Sequence, residues 1–158
     1  MSELMSETNR IPTRALLGGL AGWIPFWAPV ALTVQASLAG RSPAPELALY
    51  TLYGALILSF LGGVRWGRAL ASDRPDTAGP WVLSLLPTCF GLAAILAHWA
   101  FGPVSGIALI IAGLIAQLAW DRHALRVGDL PAWYGQLRLI LSLGAILAGL
   151  VCLALLFV

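Results

Sequence analysis

The sequence predicts an all-α fold, an integral membrane bundle of five transmembrane helices with the amino terminus cytoplasmic and the carboxyl terminus periplasmic. Composition is the first observation behind this. Hydrophobic residues make up 59% of the 158 and charged residues 10%, with a mean hydropathy of +0.87, more apolar surface than a soluble domain of this size needs. The second is that the apolar residues fall into five runs of membrane-crossing length, about 16–38, 47–66, 81–100, 103–120 and 136–157. The third is that these runs are continuous and rich in leucine and alanine. A membrane β-barrel would instead alternate apolar and polar residues along strands of about ten positions.

Residues 1–13 read as a polar, flexible cytoplasmic leader and residues 14–158 as one transmembrane domain. The first run ends in "QASLAG", which has the small residues of a cleavage site, but it is longer than a signal peptide's apolar core, carries Pro25 and Pro29, and follows an acidic start. It is therefore expected to stay as a span. Lipid tails give helices no hydrophobic reason to associate, so membrane interfaces are built from small and hydrogen-bonding residues. On a helical wheel each run shows such a stripe. The first carries Gly18, Gly22, Pro25, Pro29 and Ala36. Pro25 offers no donor to the carbonyl of Ala21, nor Pro29 to that of Pro25, so a kink is expected there.

The second run places Ser59, Gly62, Gly63 and Trp66 together, and Gly63 and Gly67 form a small-residue pair one turn apart. The third aligns Ser84, Pro87, Thr88, Gly91 and His98, and the fourth Gly106, Gly113, Gln117 and Trp120. In the fifth, Arg138, Ser142, Ala145, Gly149 and Cys152 follow at helical spacing, with leucine and isoleucine opposite. Five such faces are expected to close on one another.

Arginine placement sets the orientation, because cytoplasmic loops near helix ends collect basic residues. Arg10, Arg14, Arg65, Arg68, Arg74, Arg122, Arg126 and Arg138 fall on one side and Arg41 alone on the other. That assigns the chain to a bacterial cytoplasmic (inner) membrane as a multi-pass protein, since the short, glutamate-bearing leader does not resemble an import peptide.

Arg65, in "SFLGGVRWG", lies at the edge of the second run's small face. Asp121 ends the fourth run on the same membrane side, one turn beyond Gln117, and Arg138 opens the fifth. A guanidinium partly withdrawn from water is strongly favoured to pair with a carboxylate, because its fork of donors matches the two oxygens. A cytoplasmic-side polar cluster of Arg65, Asp121 and Arg138 with Gln117 beneath it is the expected site. The segment from Asp121 to Arg138 reads as an interfacial loop that turns at Gly128 and Pro131 and anchors through Trp133 and Tyr134.

Cys89 and Cys152 lie inside runs with no close-spaced partner, and no metal site or cofactor motif is present in the pattern. His98 and His123 fall near opposite ends of their spans and cannot share a site, so no catalytic residue is assigned and an enzyme is not expected. The arginines are interleaved with acids and form no continuous basic stripe, which argues against nucleic acid as a partner.

Ile11-Pro12, "GWIPFWAP", "YGALILSFLGGVRWG" and "LPAWYGQLR" together resemble the domain of unknown function 3429 family, the transmembrane protein 69-like proteins, from about Ile11 to the last span. The resemblance implies a small multi-pass membrane protein, bacterial or, in eukaryotes, mitochondrial, and brings no established reaction. It singles out Gly62, Gly63, Arg65, Trp66, Gly67, Pro131, Trp133, Tyr134 and Arg138. The function expected is a non-catalytic accessory or assembly component docking on a larger membrane complex; the alternative is a small transporter or channel for an anionic or lipid-like solute. Expected partners are membrane lipid with anionic headgroups, and a membrane protein or further copies of the chain.

Overall fold

A computed structural model describes residues 10–71, 78–128 and 130–157, without the side chains of 78–80. Arg74 and residues 1–9 of the leader lie outside them. The described residues form six α-helices: α1 (Thr13–Ala21), α2 (Ile24–Leu38), α3 (Ala44–Leu70), α4 (Ala78–Phe101), α5 (Pro103–Arg126) and α6 (Ala132–Ala154). With α1 and α2 taken as one broken span, five segments are long and apolar enough to cross a membrane.

The break between α1 and α2 comes from Pro25, which has no N–H to continue the ladder. Gly22 and Trp23 turn back to Gly19 and Leu20 with i→i−3 bonds of 2.9 Å, and the chain restarts at Ile24. The kink expected from "WIPFWAP" is thus a full interruption. The carbonyl of Gly22 accepts a hydrogen bond from the Tyr53 hydroxyl at 3.2 Å, so a side chain of α3 replaces a helical donor. On α2, Pro29 and Ala36 are buried, while Gly18 on α1 is exposed.

Helices α2, α3, α4, α5 and α6 form a ring in which each touches the next and α6 returns to α2, while α3 and α5 also meet across the middle. The α3–α4 contact is the most extensive. It is tight because Gly62 meets the carbonyl of Ser84, and a Cβ on Gly91 would stand 3.0 Å from the Ala55 backbone. The α4–α5 corner is a single residue, Gly102, at φ 92, a conformation that favours glycine. Tyr50, Leu47, Leu58, Ile107, Ile110 and Leu114 are fully buried at the centre. Tyr50 donates to the carbonyl of Ala145 at 2.9 Å and Trp23 donates from Nε1 to that of Leu141 at 3.2 Å, tying α3 and the broken span to α6.

Some elements run past the expected ends. Helix α3 continues to Leu70 and α5 to Arg126, so Asp121 stands inside a helix, and α6 begins at Ala132. The segment read as a loop from Asp121 to Arg138 is mostly helical. A hydropathy scan stops at the first cluster of charges, whereas a helix that leaves the bilayer has no reason to unwind until a residue such as Gly128, at φ 77, ends it.

Candidate functional site

Asp121 lies five residues inside the end of α5, Gln117 precedes it by one turn on the same face, and Trp120 stands three residues after Gln117. Arg65 lies near the end of α3 and Arg138 six residues into α6, roughly 9 Å along the axis at 1.5 Å per residue. The ring brings these ends together. Arg138 donates from Nε to Asp121 Oδ2 at 2.9 Å, and Arg65 donates from Nη2 to Asp121 Oδ1 at 3.3 Å. One carboxylate therefore holds guanidinium groups from two other helices.

Gln117 completes the arrangement. With its amide oxygen turned to Arg65 it accepts from Nε at 3.1 Å and Nη2 at 3.2 Å; the opposite orientation would set NH2 against two donors and leave only a 3.5 Å contact to Asp121. Asp121, Arg138 and Gln117 are 5%, 6% and 5% exposed. Arg65 is partly exposed and its guanidinium carbon sits 3.8 Å from the centroid of the Trp120 ring, a cation–π contact. The predicted cluster of Arg65, Gln117, Asp121 and Arg138 is thus assembled, and Trp120 is the member that sequence reasoning missed as a partner. The wheel placed Trp120 beside Gln117, and a cation one helix away was the available signal.

Other predicted positions divide. Gly62 is buried, but Gly63 and Gly67 correct the sequence reading: a Cβ at either meets nothing within 4 Å, so the pair packs no helix within the bundle. Trp66 is 41% exposed and stacks edge-on against Trp81, with centroids 4.7 Å apart. Pro29 is buried and Pro25 partly so, and Arg138, Ser142, Ala145, Gly149 and Cys152 are all buried as the fifth stripe predicts. On α4, Ser84, Gly91 and His98 face inward, whereas Thr88 is exposed and donates to Ser59 at 3.3 Å. Pro131 precedes α6, and Trp133 and Tyr134 are partly buried in an edge-on pair 6.0 Å apart.

A second buried polar contact lies far from the cluster. Thr51 Oγ1 and His98 Nδ1 are 2.9 Å apart, joining α3 to α4. Nothing in the sequence marked Thr51, because a lone threonine in an apolar run carries no pattern. Among the described residues no three His, Cys, Asp or Glu side chains come together as a metal site would require.

Helices of spanning length, ringed around small-residue contacts and crossed by a buried ionic cluster, define a multi-pass α-helical membrane protein. The family described as protein of unknown function (DUF3429) matches residues 11–155, and the chain belongs to it. Transmembrane protein 69 of Xenopus tropicalis is 39% identical over 138 residues, covering 85% of this chain and 51% of its own. Transmembrane protein 69 of Mus musculus is 36% identical over 149 residues, covering 91% of this chain and 57% of its own. The chain spans about half the length of the curated relatives it matches. No solved structure matches it.

Proposed function

We propose that the protein is a non-catalytic component of a bacterial cytoplasmic membrane that docks on a larger membrane assembly, with its arginine-rich end in the cytoplasm. The observation that carries this reading is the use to which the cluster is put. Arg65, Gln117 and Asp121 bond to one another inside the bundle and Asp121 also holds Nε of Arg138, which keeps α3, α5 and α6 in register. That suits a scaffold better than a reaction centre, which needs a base or nucleophile open to substrate.

The contact surface is the end of α5, where Arg122, His123 and Arg126 are exposed and Arg122 shares a shallow cleft with Ala132, Gly135 and Gln136 at the start of α6. Clustered exposed cations fit an acidic segment of a membrane protein partner. In mild detergent the tagged wild-type chain is expected to migrate with a stable partner on a native gel. The doubly reversed variant Arg122→Glu/Arg126→Glu is expected to lose that partner with its thermal unfolding unchanged. Recovery of this chain alone, or as copies of itself, would overturn docking. Anion flux from purified protein in liposomes would replace it with transport.

A further inference from the structure

The cluster holds two guanidinium groups and one carboxylate, an excess of positive charge roughly one and a half turns inside α6. Arg138 uses Nε on Asp121, but its Nη2 is buried without a hydrogen-bond partner among the described residues. One turn deeper on the same face, Ser142 is 2% exposed and its hydroxyl is also without a partner there. Native membrane helices seldom leave such groups unsatisfied. Both residues line the same cavity, about 280 Å³, between the broken span, α3 and α6.

Its remaining walls are apolar and include Trp23, Phe26 and Phe60. Gly18 and Phe60 on its rim are exposed, so it opens sideways to the lipid-facing surface of the bundle. A cavity just below the usual size of a small-molecule pocket accepts one alkyl segment, not a whole two-chain lipid. We infer that this cavity binds a membrane lipid whose phosphate headgroup carries net negative charge, with headgroup oxygens at Arg138 and Ser142 and one acyl chain along Trp23, Phe26 and Phe60. A phosphate supplies the missing negative charge and enough acceptor oxygens for both free donors, while the chain covers the dry wall. Inorganic phosphate would meet the donors and leave the wall uncovered. This site is independent of any docking at the end of α5.

The full-length purified chain, offered equal amounts of phosphatidic acid and phosphatidylcholine, is expected to retain phosphatidic acid about tenfold more, read by native mass spectrometry. Ser142→Ala removes one hydrogen bond to a charged group and is expected to weaken that retention about tenfold. In Gly18→Trp the added Cβ meets nothing within 4 Å, and the indole beyond it is set at the rim to block the chain. Thermal unfolding checks that both variants are folded. Equal retention of the two lipids by wild type, unchanged retention in either folded variant, or equally tight binding of inorganic phosphate would each overturn the inference.

Discussion

At Asp121 one carboxylate answers two cations, so its loss is felt twice. Asp121→Asn leaves Arg138, 6% exposed, without an acid, and breaking a buried pair from one side costs about 3–5 kcal/mol. Arg65→Ala is expected to cost less, about 1–2 kcal/mol, because the partly exposed Arg65 can in the wild type lean toward headgroups and its pairing is screened accordingly. Thermal unfolding in detergent checks the order, with exposed Arg14→Ala as a control expected within about 0.5 kcal/mol. Equal, mild effects at all three positions would mean that the guanidinium groups are solvated and the cluster is not dry. The acid and its two cations were legible because charges this deep in apolar runs must find each other. Trp120 as a cation–π platform was not, since the wheel gives a direction for a side chain but not its rotamer.

Neighbouring glycines test the helix faces. A methyl group on Gly62 runs into the Ser84 backbone carbonyl, which cannot turn aside, so α3 and α4 must part. Gly62→Ala is expected to destabilise by about 1–3 kcal/mol, as overpacking does. Gly63→Ala meets nothing within 4 Å and should be neutral or slightly stabilising, since alanine is the better helix former by about 1 kcal/mol. Unfolding of both variants in the same detergent measures the contrast, and equal losses would mean that Gly63 also packs. The sequence showed a small-residue face on each helix because packing in lipid demands one. It did not say which of two adjacent glycines touches a neighbour, because the answer depends on the crossing of α3 with α4. Likewise Pro25 announced a disturbance, but whether the helix bends or stops depended on Tyr53 being placed to bond the Gly22 carbonyl.

For the whole molecule, an odd number of spans puts the two ends of the chain on opposite sides, and the arginines choose which. The cluster fixes Arg65 and Arg138 at one end of the bundle, the end to which Arg122 and Arg126 also belong, while Arg41 lies across the membrane beside Glu46 at 3.8 Å. Holding several arginines back from translocation is far easier than moving them across, so the arginine-rich end should face the cytoplasm. Ser42, in the turn between α2 and α3, and His123, near the end of α5, are both exposed and report the two sides. With Cys89 and Cys152 replaced by serine and alanine, Ser42→Cys is expected to react with a membrane-impermeant maleimide in intact cells. His123→Cys is expected to react only after the membrane is permeabilised. The opposite pattern would invert the topology and turn Arg122 and Arg126 outward, and any partner engaging them would then have to be sought on the far side of the membrane.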